Sequence, residues 1–358
     1  MITKLYNYKD LYMKISVPEY FTKFKCRADK CRDNCCIGWE IDVDECTLAR
    51  YKALDGEEGN RIRSTLNMGD PVTFKLLERE RCANLDSSGL CKIISNLGED
   101  YLCQICRDHP RYFNWVVDSY EGGIGIACEE AAELVLTAEN ITKAVAVEYP
   151  EITPRYVCDE SLAQDAREII LTYLDDMEMQ GESARVAINR LLNFAAQLDS
   201  AIVENMFSNK KVSLGLSDLQ SSNCNKDCSE EIVSIICSAF DESEALTADF
   251  HLKLKSAKEA ISTSDFFRFL DEGAKKYFTN LLCYFIHRYF LCDEADYVQS
   301  MSFAVASALL ILAIFYVGGD YTVESIVAEA KNFSKNVEYS EENVEKAMEN
   351  MGKILRFF

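Results

Sequence analysis

From residue 129 onward, apolar residues recur every three or four positions. The segments "EEAAELVLTAENITKAVAV", "ESLAQDAREIILTYLDDM" and "SARVAINRLLNFAAQLDSAIVENMF" show this spacing, and so do "SDFFRFLDEGAKKYFTNLLCYFIHRYFL" and "YSEENVEKAMENMGKILRFF". At 3.6 residues per turn such residues share one helix face, so each segment is expected to be an amphipathic α-helix. Between them "SSNCNKDCSE", residues 221–230, is polar and reads as a surface loop or hinge. The run from Tyr297 to Gly319 is different, because it carries no charge at all. It is long enough to span a bilayer. Its flanks, however, are Asp293, Glu294, Asp296 and Asp320, where a membrane helix would show Lys or Arg. Ala and Ser recur along it, which suits close packing, so the expectation is a buried central helix and no membrane.

The first 130 residues lack this rhythm. "WEIDVDE" alternates apolar and acidic residues, and "DECTLARYKAL" predicts a short helix with Asp44 near its cap. "LDSSGLC" predicts a turn, and "NLGEDYLCQICRDHPR" a loop and short helix around Gly98 and Pro110. "VVDSYEGGIGIACEE" predicts two strands around the glycines, with Cys128 at the start of a helix. The expected fold is therefore mainly α. An irregular, Cys-rich front with short strands (1–130) is followed by an all-α helical domain (131–358), with a hinge near 221–230.

Charge and cysteine content sharpen that division. Residues 1–130 hold 18 Lys and Arg against 22 Asp and Glu; the rest hold 20 against 37, most of the net charge of −21. An acidic chain gains nothing from counterion release, so nucleic acid is an improbable partner and a lysine-bearing protein fits better. Ten of the sixteen cysteines fall between residues 26 and 128. "MITKLYNYKD" has no apolar stretch behind it, so the expected location is the reducing cytoplasm, where cysteines bind metal or do chemistry and seldom form disulfides.

"CRADKCRDNCCIGW" places Cys26, Cys31, Cys35 and Cys36 within eleven positions. Structural zinc favours C-x2-C knuckles, and among the front cysteines only Cys103 and Cys106 have that spacing. Adjacent Cys35 and Cys36 do not both sit easily on one small tetrahedral ion. A larger iron–sulfur cluster, or two centres each taking one of the pair, suits them better; zinc remains the alternative. Cys224 and Cys228 form a C-x3-C, but Glu231 stands where a radical-methionine signature needs a third cysteine. Cys46 reads as a small core residue, and Cys158, Cys237, Cys283 and Cys292 read as packing residues. The glycines of "EGGIGIAC" are not followed directly by a helix, as a nucleotide loop requires, so a strand turn is the better reading.

The order "CRADKCRDNCCIGW", "CANLDSSGLCKI", "NLGEDYLCQICRDHPR" and "ACEEAAELVL" resembles the flagellin lysine N-methylase (FliB) family, with a YkgJ-like Cys-rich front of the kind described as binding zinc or iron. Glu129 and Glu130 follow the last cysteine where that family pattern has Pro-Glu. The resemblance implies a bacterial-flagellum enzyme that moves methyl groups from S-adenosylmethionine to flagellin lysines and contains a [4Fe-4S] cluster. It maps the metal cysteines to Cys26, Cys31, Cys35, Cys36, Cys82, Cys91, Cys103, Cys106 and Cys128. The methyl donor would then bind beside the cluster, since no doubly wound nucleotide fold is visible. A lysine must lose its proton before attack, from a pKa of about 10.4. Tyr101, Asp108, Tyr112 and Glu130 are candidate acceptors near the cysteines, with surface or supporting roles as the plainer reading. His109 is a candidate supporting donor or ligand, Arg107 and Arg111 would hold a carboxylate or balance a negative cluster, and Trp39 reads as a lid over the Cys35–Cys36 turn. The competing function is a non-catalytic zinc- or iron-binding interaction protein. A substrate other than flagellin is equally compatible with the sequence.

Overall fold

A computed structural model describes residues 12–150, 152–177, 181–208, 212–222, 230–246, 249–292 and 296–357. Cys224 and Cys228, most of the expected hinge, and the flanking Asp293 and Glu294 lie outside the described residues. The chain opens with strand β1 (Tyr12–Pro18) and leaves the sheet for the excursion 19–110. That excursion contains α1 (Glu45–Ala53), α2 (Gly56–Ser64), the two-residue strands β2 (Leu66–Asn67), β3 (Thr73–Phe74), β4 (Leu76–Leu77) and β5 (Arg81–Cys82), then α3 (Lys92–Leu97) and α4 (Gln104–Asp108). The chain returns as the hairpin β6 (Arg111–Val116) and β7 (Ser119–Ile124), followed by α5 (Glu129–Thr137), β8 (Ala144–Pro150) and β9 (Val157–Cys158). The five long-range strands make one sheet in the order β8-β1-β7-β6-β9. β1 runs parallel to β7, with Ile15 opposite Tyr120, and antiparallel to β8, with Met13 opposite Tyr149. Strands from both sides of residue 130 thus share one sheet.

Two details of that sheet differ from expectation. The turn of the β6–β7 hairpin falls at Val117–Asp118, and Gly122 and Gly123 lie inside β7. They leave room for rings, since a β-carbon on Gly123 would collide with Tyr112 and one on Gly122 would press on Phe113 at 2.9 Å. Residues 144–147, expected to continue a helix, instead open β8. Their Ala-Val-Ala-Val alternation has a period of two, and pairing along the whole of β1 decides the outcome.

The remaining helices are α6 (Ser161–Met177), α7 (Ala184–Phe207), α8 (Leu216–Ser221), α9 (Glu230–Ser238), α10 (Phe250–Ile261), α11 (Ser264–Gly273), α12 (Lys275–Tyr289), α13 (Tyr297–Gly318), α14 (Val323–Val337) and α15 (Glu341–Met351). The long segment around Gly273 is two helices, broken where Ala274 leaves helical geometry. α13 is the uncharged run. It packs against α7, α9, α10, α12, α14 and α15, and 83% of its most apolar window is buried within the protein. Asp199 of α7 accepts hydrogen bonds from the first amides of α13, Tyr297 N at 2.9 Å and Val298 N at 3.0 Å, so its N-terminus is satisfied inside the bundle. The run is a core helix, as its acidic neighbours implied.

Two hydrophobic cores result. The large one joins the sheet to the helices and contains Ile15, Phe113, Ile126, Leu192, Phe285 and Leu309. The small one lies within the excursion, around Ile41, Tyr51, Ile62, Phe74, Cys82 and Cys103. Asp44 organises it. One carboxylate oxygen caps α1 at Thr47 N (2.9 Å), and the other accepts from Gln104 N (2.9 Å), which ties α1 to α4.

Candidate metal centre

None of the fourteen described cysteines is paired in a disulfide. Nine of them, the positions mapped above, gather where the small core meets α5 and α14. The loop that carries Cys26, Cys31, Cys35 and Cys36 has almost no regular structure, so its position depends on side-chain ties. Arg27 reaches Glu133 at 2.7 Å and Glu129 at 3.6 Å and also pairs with Glu130. Arg32 bonds Glu129 through Nε (3.0 Å) and through its own amide (3.1 Å). These contacts lay the loop on the first turn of α5, beside Cys128, the residue that precedes that turn. On the opposite side Asp33 accepts from Lys335 (2.9 Å) and Lys331 (3.2 Å) of α14. Burial works to raise the Asp33 carboxyl, but Lys335 and Lys331 outweigh it and hold it below its ordinary range. Glu129 and Glu130 are therefore anchors of the loop, and Glu130 is not a free proton acceptor.

The thiols fall into two neighbourhoods. Cys36, Cys82, Cys91, Cys103 and Cys106 belong to the small core or pack against it. The Cys82 amide donates to the Cys36 carbonyl at 2.9 Å, Cys91 bridges to Leu85, and Cys91 and Cys103 immediately precede α3 and α4. Burial and neighbouring thiolates raise Cys82; the hydrogen bond with Cys103, then burial, raise Cys106, and Cys103 is lowered by the same bond. Cys26, Cys31, Cys35 and Cys128 lie between the loop and α5. Burial, then Glu129, pushes Cys31 up to about 11, and burial pushes Cys128 up to about 12. Cys35 and Cys36 stand with their Sγ atoms 3.9 Å apart. Their hydrogen bond lowers Cys35, with help from Lys335, and raises Cys36.

Among the described residues no three His, Cys, Asp or Glu side chains close on a common point as one bound ion requires. The donor set is nevertheless of the soft kind that binds thiophilic metals. Two polar atoms beside it also lack partners: His109 Nε2 and the Tyr339 hydroxyl are shielded from solvent and make no hydrogen bond. Their rings form a trio with Trp39, at 6.0 Å (Trp39–His109), 5.3 Å (Trp39–Tyr339) and 6.4 Å (His109–Tyr339). Burial raises the Tyr339 hydroxyl, and the charges of Cys35, Cys128, Asp33 and Cys36 raise it further. Soft donors and two shielded, unpartnered polar atoms are what a thiolate-bound metal group would use, although the donors do not converge on one point.

Tyr339 is held by a buried network that the front of the sequence does not announce. Glu338, its neighbour, accepts from Tyr289 (2.8 Å) and Tyr284 (2.9 Å) and pairs with Arg288 (3.1 Å). Arg288 lies over the Tyr112 ring at 4.7 Å and comes so close to Gly125 that a β-carbon there would meet Nη1 at 2.7 Å. The signal was present in "CYFIHRYF", where His287 and Arg288 interrupt an otherwise apolar helix.

Other candidates are placed as follows. Trp39 donates to the Cys35 carbonyl at 2.8 Å and covers the turn, as expected of a lid. Tyr112 is buried and bonded to His287 Nδ1 at 3.0 Å. Tyr101 offers its carbonyl to Tyr51 (2.6 Å), and burial raises Asp108. Arg107 is exposed; Arg111 lies over the Phe21 and Phe24 rings with its Nε unpartnered. Cys46 is a correction: it is exposed, because α1 turns Thr47 and Tyr51 to the core. Cys158, Cys237, Cys283 and Cys292 are buried, as packing residues should be. Two cavities, of about 140 and about 20 Å³, are lined by Tyr20 and Leu134 and by Val233, Cys237 and Phe267, with none of the nine front cysteines in either lining.

Comparison with known proteins gives partial likenesses. The chain is 26% identical over 131 residues to a protein named lysine-N-methylase from Salmonella typhimurium, covering 34% of this chain and 32% of that one. The protein of the same name from Salmonella choleraesuis matches to the same extent. The flagellar biosynthetic protein FliU of Salmonella muenchen is 27% identical over 129 residues, 34% of this chain and 76% of that protein. The aligned stretch thus spans about a third of the first two relatives. No family model and no solved structure matches the chain.

Proposed function

We propose that this protein is an S-adenosylmethionine-dependent protein-lysine N-methyltransferase whose cysteines hold a metal centre, a [4Fe-4S] cluster in the leading form and zinc in the alternative, and whose substrate is flagellin or another lysine-bearing protein. The observation that carries the reading is the cysteine-rich front, with Cys35, Cys36 and Cys128 beside Tyr339 of the Trp39–His109–Tyr339 trio, in a chain partly similar to lysine-N-methylases. When bound, a metal centre with an open corner supplies Lewis-acid anchorage for the amino and carboxylate groups of the donor.

The chain's own residues supply the rest. Trp39 packs on Tyr339 with ring centroids 5.3 Å apart, and its remaining face would attract a sulfonium cation. A drier surrounding lowers the pKa of an arriving lysine and frees its lone pair. The amine nitrogen then bonds the methyl carbon as the carbon–sulfur bond breaks. The electron pair stays on sulfur, giving a thioether, and the methylated ammonium releases a proton to solvent. The net charge of −21 favours approach of a lysine-rich surface.

The test is incubation of flagellin with S-adenosylmethionine and protein purified and reconstituted without oxygen. The expected result is methyl-sized mass increments on lysines, lost when the metal is removed. No increment with the iron form sinks the reading. The competing reading is a non-catalytic metal-holding interaction protein. Stoichiometric zinc together with no methyl transfer would select it.

A further inference from the structure

We propose that the outer edge of β8 is a docking site at which an extended segment of a lysine-bearing partner protein adds a sixth strand to the sheet. This rests on the reading of such a protein as the substrate and does not involve the metal centre.

The edge is a long one. β8 runs for seven residues, Ala144–Pro150, at one end of the order β8-β1-β7-β6-β9, whereas β9 at the other end has two. The direction of its backbone groups follows from one bond. Glu19 N donates to the Lys143 carbonyl at 2.8 Å, in the same register that sets Val17 against Val145 and Ile15 against Val147. Alternate residues of an antiparallel strand turn their amides and carbonyls to opposite sides. Val145, Val147 and Tyr149 therefore bond β1, and Ala144, Ala146 and Glu148 turn theirs outward. Those outward groups make no hydrogen bond with another described residue, and the three residues are exposed. Pro150, which has no amide hydrogen, closes the row.

The usual protections are missing. Sheet edges are blunted by lysines, bulges, interior prolines or a covering element. β8 pairs with β1 without a bulge, carries one charge, Glu148, and presents two small alanines that leave room for a neighbour. On the other face Val145, Val147 and Tyr149 pack on the large core yet are only half-buried. An added strand with apolar residues at every second position would complete their cover while its main chain bonds Ala144, Ala146 and Glu148. Beyond the Lys143 end, Glu19 also lines the cavity of about 140 Å³ with Tyr20, Thr137 and Asn140, which has room for one side chain of the partner. Charge selects the occupant. A second copy of the chain would bring −21 against −21, whereas a segment carrying lysines is attracted.

The test uses the intact chain and monomeric flagellin. Flagellin should slow hydrogen exchange at the amides of Ala144, Ala146 and Glu148. Ala146→Pro and Glu148→Pro each remove an outward amide that β1 does not use, a change that an edge strand tolerates. Both variants should keep the circular dichroism and melting temperature of wild type and bind flagellin more weakly by about tenfold or more. Flagellin that binds without slowing these amides, binds both variants as well as wild type, or does not bind at all overturns the proposal; the exchange measurement on wild type decides it even where a variant fails to fold. Slow exchange at the same amides in the free chain, with self-association in sedimentation, assigns the edge to a second copy and overturns it too. Flagellin held at β8 but never methylated overturns the methylation reading alone. Flagellin methylated equally well by wild type and both variants overturns this one alone.

Discussion

The core around Tyr51 and Phe74 and the core around α13 are built on different terms. The second has length on its side. α13 runs for 22 residues with helices on every flank, and its interior is continuous with a five-stranded sheet. The first must fold from helices of five to nine residues and ladders of two. Helices that short are marginal alone, and a small apolar cluster leaves little surplus over the entropy of ordering so much loop. Thiols occupy places in the small core where the large one has Leu and Phe. The contrast teaches that stability in the helical body is carried by burial, whereas the excursion, on the metal-centre reading proposed above, would draw on bonds from outside the polypeptide.

The strongest way to break that comparison is to remove metal. A chelator under reducing conditions should release hydrogen-exchange protection across residues 36–106 and leave α7, α12 and α13 protected, with most helical circular dichroism retained. Uniform protection before and after would show that the small core stands by itself. A cavity in the body should do the reverse. Leu309→Ala, at a fully buried position of α13, should lower stability by about 2–5 kcal/mol in denaturant unfolding and leave metal content unchanged. A loss of metal would mean that the two cores unfold as one.

The smallest effect sharpens the comparison through pH. His287 lies in the body, bonded to Tyr112, with Glu121 at 3.9 Å and Arg167 beyond it on Glu121. Burial depresses it to about 4, against the attraction of Glu121. The unfolded chain takes up that proton near pH 6.5, so stability falls as pH drops from about 6.5 toward 4, with a slope approaching 1.4 kcal/mol per pH unit. His287→Gln should flatten that part of the profile, read from helical circular dichroism in denaturant. An unaltered profile would show that His287 is not neutral when folded.

Much of the body was legible because its signals are local. The three- and four-residue spacing marks α6, α7 and α15, and the uncharged run with acidic neighbours marks α13. Asp44 was readable as a cap, but its second oxygen, on Gln104, was not. The failures are non-local. Residues 144–147 continue a helical pattern until β1, over a hundred residues earlier, offers a partner. Nothing near Tyr339 marks it, since its place depends on Glu338 meeting Tyr284, Arg288 and Tyr289 across the bundle. The order of the cysteines suggested metal; their division into groups depends on which tertiary contact each makes.

The route of β1 also has a temporal meaning. β1 is complete at Pro18, but its antiparallel neighbour β8 ends at Pro150. At about 5–20 residues per second, the growing chain leaves β1 waiting for roughly 7–26 s. In that interval Cys36 through Cys106 have all been made, whereas Cys26, Cys31 and Cys35 wait for Cys128, and Lys331 and Lys335 come much later. The ribosome thus delivers the Cys36–Cys106 set first and Cys128 later, both before β8 is complete. If the thiols hold metal as proposed, the earlier set is the first able to take it up.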